Sequence, residues 1–213
     1  MSEYQMTMPQ EVVRIINTLE QHGYEAYAVG GCVRDAMLGR EPEDWDITTS
    51  AKPLEVKGLF RKTIDTGLQH GTITVMVNGE GYEVTTYRID GEYEDGRHPK
   101  EVAFTTSLRM DLERRDFTIN AMAYNDRSGL VDEFDGVGDL KRGVIRCVGD
   151  AGQRFDEDAL RMLRAVRFSG QLGFTIEDAT LQAMEQRIQN LQKISAERIR
   201  VEMTKLLISP NPG

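Results

Sequence analysis

Residues 29–49 read VGGCVRDAMLGREPEDWDITT, a stretch in which a glycine pair precedes a pair of aspartates. Gly30 and Gly31 follow a short apolar run, and a glycine pair lets the backbone approach a ligand closely. The nearby Arg34 can hold a phosphate group through its planar guanidinium. We therefore predict a phosphate-binding turn here, and a tight turn without a ligand is the alternative that the same residues allow.

Two carboxylates follow this turn. Asp44 and Asp46 are two positions apart, so on an extended segment both point to one face, an arrangement that holds a hard divalent cation such as Mg²⁺. Trp45, between them, is expected to point the opposite way, into the core. A phosphate cradle beside paired metal ligands indicates phosphoryl or nucleotidyl transfer, whereas a solvated polar strand end is the alternative.

The composition is that of an ordinary globular protein. The 213 residues are 39% hydrophobic and 29% charged, and the net charge of -9 argues against non-specific binding of nucleic acid by the whole surface. Cys32 and Cys147 lack metal-binding spacing, which predicts a reducing cytoplasm without structural zinc or a disulfide framework. The sequence has no apolar run of membrane-spanning length and no signal-peptide pattern at its N-terminus, so we predict no contact with a membrane.

Hydrophobic periodicity predicts an α+β fold in which a mixed head, residues 1–150, precedes an all-α domain, residues 151–213. The predicted helices of the head are 9–22, 32–38 and 53–60, and its predicted strands are 24–29, 45–48, 71–77, 82–87 and 131–134. Residues 78–81 supply the turn of a hairpin, and residues 89–99 are predicted to form a mobile polar loop. The helical domain is predicted to contain helices at 155–168, 179–191 and 195–207, the last with Ser195 as its N-cap.

Two further polar residues are candidates for the site. Glu83 lies in the middle of a predicted strand, where an acidic residue is disfavoured unless it serves a purpose, and it is the candidate third acidic ligand. An outward-facing strand residue is the alternative. Arg115 precedes an ordered apolar segment and can bind phosphate or sugar, while a surface ion pair with Asp116 or Glu113 is the alternative.

The predicted helix 155–168 carries an unusual set of charges. Asp158, Arg161 and Arg164 are expected to descend one side of it, opposite an apolar side that includes Val166, and Arg167 lies at the border. An aspartate acceptor beside an arginine donor can match the hydrogen-bonding edge of a nucleobase. An i, i+3 surface salt bridge is the alternative reading of Asp158 and Arg161.

Several segments, in order along nearly the whole chain, resemble the class II CCA-adding enzymes, which are tRNA nucleotidyltransferases of the bacterial and eukaryotic type. The matching segments are VGGCVRDAMLG (29–39), EDWDITT (43–49), HGTITVMV (70–77), YEVTTYRIDG (82–91), RRDFTINAMAY (114–124), RFDEDALRMLRAVRF (154–168) and SAERIRVEM (195–203). This family adds C, C and A to the tRNA 3′ end from CTP and ATP, without a nucleic-acid template. The resemblance therefore implies tRNA, CTP and ATP as partners, and leaves the oligomeric state open.

The resemblance also implies a polymerase-β-like head followed by a helical neck, and it assigns roles to residues of both. In the head it implies Gly31 and Arg34 at the triphosphate, Asp44 and Asp46 as Mg²⁺ ligands, and Arg115 near the nucleotide. The neck residues that it implies in nucleotide binding are Asp158, Arg161, Arg164 and Arg167, the first two acting as an amino-acid template.

Related activities differ from this pattern in two places. Bacterial poly(A) polymerases have a more arginine-rich segment where this chain reads GLQHGTITVMV, and CC-adding enzymes lack the loop that corresponds here to residues 89–104. The intact loop favours competence for A addition and leaves open full CCA addition or A addition alone. Family members usually continue beyond the neck into body and tail regions, so we expect a fragment, or a chain with a reduced tRNA-binding surface. A fragment that binds nucleotide without turnover is a further alternative.

Overall fold

The structure, a computed structural model, describes residues 4–91 and 102–212. Packing divides them into two units. Unit 1 runs to Asp90 and also includes Val102–Arg114 and Asn120–Phe134, whereas unit 2 includes Arg115–Ile119 and the chain from Asp135 onward. The domain boundary predicted near residue 150 stays a prediction.

A mixed β-sheet is the frame of unit 1. Its strands, in chain order, are β1 (Ala26–Val29), β2 (Ile47–Thr49), β3 (Thr63–Gly67), β4 (Thr72–Val77), β5 (Glu80–Thr86), β6 (Arg88–Asp90), β7 (Val102–Phe104), β8 (Met122–Asn125) and β9 (Gly129–Asp132). Within the described ranges, seven strands form one sheet in the order β3-β4-β5-β2-β1-β8-β9, and β6 pairs with β7. The β2–β5 pair is parallel, and the other neighbours are antiparallel.

Three of the helices that the structure describes in unit 1 confirm predicted helices, and the fourth, at Leu108–Glu113, was not predicted. They are α1 (Gln10–Gln21), α2 (Gly31–Met37), α3 (Pro53–Leu59) and α4 (Leu108–Glu113). The buried side of α1 consists of the apolar residues Val12, Ile15, Ile16 and Leu19, spaced to lie on one face of a helix. Gly30 alone connects β1 to α2, and Gly31 is the first residue of α2.

Several head predictions need correction, among them the strand predicted at 131–134, which runs over Gly129–Asp132. The strand predicted at 45–48 begins only at Ile47, so both aspartates precede it instead of lying on it. The hairpin turn is shorter than predicted, because Asn78 and Gly79 alone have positive φ (53° and 91°) and Val77 pairs with Glu80. The loop predicted at 89–99 is wrong at its start, since Ile89 and Asp90 pair with β7, and its predicted residues 92–99 lie outside the described ranges.

Unit 2 is mainly helical. Its elements are α5 (Gly136–Arg142), β10 (Val144–Ile145), α6 (Ala151–Glu157), α7 (Leu160–Leu172), β11 (Thr175–Ile176), α8 (Asp178–Arg187) and α9 (Ala196–Leu207). Strands β10 and β11 form a short parallel pair, and β11 lies within residues 151–213, which were predicted to be all-α. Phe117 and Phe168 pack edge to face in the core, with ring centroids 5.9 Å apart. The two units together confirm the predicted α+β fold class.

The predicted helix 155–168 is wrong as a single helix, because it breaks at Asp158. Asp158 has an extended backbone (φ -148°, ψ 103°), and its Oδ1 accepts a hydrogen bond from the Leu160 backbone N–H at 3.0 Å. An aspartate that bonds to the backbone two residues ahead competes with a continuous helix and starts a new one. The apolar side of α7 differs as well, since Val166 is 37% exposed while Arg161 and Arg167 are buried.

The remaining helix predictions agree with the structure apart from one end. Helix α8 stops at Arg187 and is followed by a 3₁₀ helix over Ile188–Lys193, so the α-helix predicted at 179–191 ends earlier than predicted. Ser195 caps α9, accepting a hydrogen bond from the Arg198 N–H at 3.5 Å. No helix in the described part of the chain combines the length and apolar character needed to cross a membrane.

Candidate active site

The glycine turn is fixed by an unusual backbone conformation. Gly30 has φ 80° and ψ -127°, a region that residues with a side chain rarely adopt, and its N–H donates to the Met122 carbonyl at 3.1 Å. Gly31 differs, because a Cβ added there would lie 3.7 Å from Arg34 Nη2, an ordinary van der Waals distance. The fold therefore requires glycine at position 30 but leaves room for a side chain at position 31.

Arg34 is buried and its guanidinium is held in place. Its Nε and Nη2 each donate to the carboxylate of Asp35 at 2.9 Å, and its Nη1 donates to Asn120 Oδ1 at 2.7 Å. These bonds fix the plane of the guanidinium beside the glycine turn. Phosphate binding by Arg34 stays a prediction. A phosphate bound there would contact a guanidinium that Asp35 and Asn120 already orient.

One open cavity of unit 1 brings the predicted acids together. Its volume is about 940 Å³, and its lining includes Asp44, Asp46 and Glu83, all three of them exposed. Ile47 pairs in parallel with Val84, and Asp46 and Glu83 each directly precede one member of that pair. The register of the sheet thus explains how acids far apart in sequence reach the same cavity.

The donor set of this cavity fits a hard divalent cation, since carboxylate oxygens are its preferred ligands. Within residues 4–91 and 102–212, no group of three or more acidic, histidine or cysteine side chains is close enough together to hold a metal ion. The pair Asp44 and Asp46 therefore remains the predicted metal site, and Glu83 as a third acid stays a prediction.

Trp45 does not lie in the core, contrary to the sequence-based expectation. It is half-buried and lines the same cavity as the two aspartates. The expectation assumed strand alternation through Trp45, but β2 begins two residues later, at Ile47. The indole therefore belongs to the wall of the candidate site.

The residues around Arg115 have defined partners within their own units. In unit 1, Arg114 donates through Nε and Nη2 to Oδ1 of the buried Asp111, at 3.1 and 3.0 Å. In unit 2, Asp116 Oδ1 accepts from the Phe117 N–H at 2.8 Å, and its Oδ2 accepts from Arg164 Nε at 2.7 Å. Arg115 itself is half-buried, and its contact with nucleotide stays a prediction.

Asp158 has a partner that the sequence analysis missed. Arg198 on α9 donates from Nη1 to Asp158 Oδ1 at 3.2 Å and from Nη2 to Oδ2 at 2.7 Å. Arg161 is buried, and its Nη1 donates to Glu157 Oε2 at 2.7 Å and to the Arg154 carbonyl at 3.2 Å. The carboxylate and guanidinium predicted to read a base are thus each held by a neighbouring charge. Arg198 lies in the quoted segment SAERIRVEM, but spacing alone gave no sign of its partner.

The two remaining neck arginines are bound to acids. Arg164 pairs with Asp116, whose carboxylate raises the pKa of the guanidinium above its ordinary value although burial opposes the shift. Arg167 donates to Glu202 on α9, and its Cζ lies 4.0 Å from the centre of the Phe168 ring. Burial lowers the pKa of Arg167, and Glu202 opposes that effect. The contacts of Arg164 and Arg167 with nucleotide stay predictions.

Two known protein families and several CCA-adding enzymes match this chain. Residues 26–146 match the family described as the poly A polymerase head domain, and residues 173–213 match the family described as a probable RNA- and SrmB-binding site of polymerase A. The CCA-adding enzyme of Lactiplantibacillus plantarum is 53% identical over 211 residues, which are 99% of this chain and 51% of that protein.

Solved structures of CCA-adding enzymes share this fold. The Bacillus stearothermophilus enzyme in complex with CTP is 49% identical with a TM-score of 0.88, covering 96% of this chain and 50% of that chain. The Thermotoga maritima enzyme complexed with tRNA is 29% identical with a TM-score of 0.81, covering 98% of this chain and 50% of that chain. The chain thus spans about half the length of the relatives that it matches.

Proposed function

Because the chain belongs to the nucleotidyltransferase family of the CCA-adding enzymes, we propose that it carries the catalytic and nucleotide-selecting part of an enzyme that adds C and A to the tRNA 3′ end. The substrates are CTP and ATP, and the product besides the extended tRNA is pyrophosphate. The observation that carries the proposal is the cavity of unit 1, which Asp44, Asp46 and Glu83 all line.

In this proposal Asp44 and Asp46 hold Mg²⁺. Both carboxylates are exposed in the cavity, and oxygen donors of this kind suit a hard divalent cation. When bound, the ion supplies charge neutralisation for the triphosphate and a lower pKa for the attacking hydroxyl. Glu83 is proposed as the third acid, since it lines the same cavity as the two aspartates.

The glycine turn and Arg34 are proposed to bind the triphosphate. The fold leaves space at Gly31 for a Cβ, so close approach of a ligand is a better reason for glycine there than internal packing. Arg34 is held by Asp35 and Asn120 in a fixed plane, and a fixed donor loses little freedom when it binds an anion. Gly30 supplies the backbone geometry on which both depend.

The tRNA 3′ hydroxyl attacks the α-phosphate of CTP or ATP, and pyrophosphate leaves. The chain contributes mainly by positioning the triphosphate and by compensating its charge. Arg115 is proposed to contact the nucleotide. Asp158 and Arg161 are proposed to read the base. Arg164 and Arg167 are also proposed to bind the nucleotide. We also propose a cytoplasmic location, which the two buried free thiols of Cys32 and Cys147 support.

The test is incorporation of labelled CTP and ATP on two tRNA substrates, one ending before the two cytidines and one ending after them. The proposal predicts CTP incorporation on the first and ATP incorporation on the second. An enzyme that only adds A would use ATP on the second substrate alone, and a poly(A) polymerase would use ATP on both. Binding of CTP without any incorporation would favour a nucleotide-binding fragment instead.

A further inference from the structure

The carboxylate of Asp158 is bound on both of its oxygens. Oδ1 accepts from the Leu160 N–H at 3.0 Å and from Arg198 Nη1 at 3.2 Å, while Oδ2 accepts from Arg198 Nη2 at 2.7 Å. The pair is largely shielded, with side-chain exposures of 20% for Arg198 and 16% for Asp158. This is a bidentate arginine–carboxylate contact, the geometry that orients a carboxylate most strongly.

The number of acceptor positions that remain follows from these bonds. Each carboxylate oxygen has about two lone-pair positions. Oδ1 uses both, for Leu160 and for Arg198, whereas Oδ2 uses one for Arg198. Asp158 is therefore left with a single acceptor position, on Oδ2, in a fixed direction.

We propose that Arg198 is a positioning residue for nucleotide selection, which holds Asp158 so that one oriented acceptor faces the amino group of cytosine or adenine. The inference rests on the proposed function, in which Asp158 and Arg161 read the base. Cytosine and adenine each present an amino donor at the matching position, whereas uracil and guanine present a carbonyl acceptor there. A carbonyl facing Oδ2 would leave two acceptors opposed without a proton between them.

Loss of Arg198 should weaken this discrimination without removing the base-reading residue itself. The terminal torsion of an aspartate is broad, so a carboxylate held only by the Leu160 N–H can rotate. A rotated carboxylate can offer its acceptors elsewhere and admit water between itself and a mismatched base. Lysine at position 198 keeps the charge but cannot form the fork of two parallel bonds, so it should restore the preference only partly.

The experiment measures the affinities of the chain for CTP, ATP, UTP and GTP by competition against a fluorescent CTP analogue, in the presence of Mg²⁺. The variants are Arg198→Ala, Arg198→Lys and Arg200→Ala, the last a control because Arg200 is an exposed arginine on the same helix. We expect Arg198→Ala to reduce the preference for CTP over UTP about tenfold, the effect of one mispaired buried group. Arg198→Lys should lie between the parent and Arg198→Ala, and Arg200→Ala should match the parent.

A double-mutant cycle separates orientation from a general structural effect. If Arg198 acts through Asp158, then Arg198→Ala should change the CTP-to-UTP preference in the parent but not in Asp158→Ala. The proposal is overturned if Arg198→Ala weakens all four nucleotides in parallel, or if it lowers the preference equally in both backgrounds. A parent chain that binds all four nucleotides alike would instead contradict the proposed function, and this inference with it.

Discussion

The acids of unit 1 and the charges of unit 2 are organised in opposite ways. Asp44 and Asp46 are exposed and line an open cavity. Between Glu157 and Arg167, by contrast, the charged side chains of the candidate site are bound to neighbouring charges and are mostly shielded. Exposed carboxylates suit a cation that must arrive and leave with substrate, whereas paired charges suit a template whose shape must not change. The difference agrees with the proposed assignment of chemistry to unit 1 and of nucleotide selection to unit 2.

The largest expected effect is at the exposed acids. Asp44→Asn or Asp46→Asn should lower incorporation of every nucleotide about a thousandfold or more, because an amide is a poor ligand for a hard cation and several kcal/mol of transition-state stabilisation are lost. The measurement is incorporation of CTP on tRNA, with circular dichroism as the check on folding.

Glu43→Gln is the matched control, because Glu43 is an exposed acid of the same cavity with no assigned role. It should stay within a few-fold of the parent, as surface substitutions away from a site usually do. Incorporation within tenfold of the parent in Asp44→Asn or Asp46→Asn would overturn the metal assignment.

A second prediction concerns the segment between β6 and β7. Deleting residues 90–99, of which 92–99 lie outside the described ranges, should spare CTP incorporation and damage ATP incorporation selectively. The reason is its Gly- and Asp-rich composition and its match to the switching loop of the family. The readout is the ratio of ATP to CTP incorporation on tRNA ending after and before the cytidines. An equal loss of both activities would show a general role in folding.

The cysteines report packing in the two units separately. Burial raises the pKa of Cys32 to about 11 and that of Cys147 to about 12. At pH 8 the thiolate fraction of Cys32 is then about a hundredfold below that of an exposed thiol, so reaction with a disulfide reagent should be slower by at least that factor. Because the unfolded chain loses these protons first, this contribution to stability is present below about pH 9 and declines as pH rises towards the folded values.

These thiol kinetics can be measured at several pH values, with the chain in denaturant as the reference. Rates that rise about tenfold per unit up to pH 10 would agree with the raised pKa values. A rate that levels off near pH 9 would show that the thiol is accessible, and hence that packing beneath the glycine turn or around β10 is looser than described.

The smallest expected effect tests the paired charges of unit 2. Asp116→Asn weakens the contact with Arg164 and should lower the free energy of unfolding by about 2 kcal/mol, as for a hydrogen bond to a charged group. Glu133→Gln is the comparison, because its ion pair with Arg109 is exposed and should contribute under about 1 kcal/mol. Urea unfolding measures both, and equal effects would contradict the contrast between buried and exposed pairs.

The sequence predicted the local helices and strands and the candidate residues better than the contacts between distant residues. Helix α1 and the hairpin β4–β5 follow from periodicity and from Asn78-Gly79, which are local signals. Strand β3 was missed because its side chains are largely exposed, so it shows no apolar alternation. The break at Asp158 depends on one hydrogen bond from its side chain to Leu160 N–H, which competes with a helix that periodicity favours.

The sequence also did not predict the ion pairs between residues that are far apart along the chain. Forty positions separate Asp158 from Arg198, and Arg167 pairs with Glu202 across a comparable distance in sequence. Charge patterning can predict pairs within a helix, since those lie three or four residues apart. It cannot predict which arginine of α7 pairs with which acid of α9, because that pairing depends on how the helices of unit 2 pack.

The most direct test of the division between chemistry and selection compares Asp44→Asn with Asp158→Ala for all four nucleotides. We expect Asp44→Asn to lower CTP, ATP, UTP and GTP incorporation in parallel. We expect Asp158→Ala to raise UTP and GTP misincorporation relative to CTP and ATP, by a factor that corresponds to about 1–3 kcal/mol for a mispaired buried group. If Asp158→Ala lowers all four nucleotides in parallel and leaves discrimination unchanged, Asp158 is a structural partner of Arg198 and the selection account is wrong.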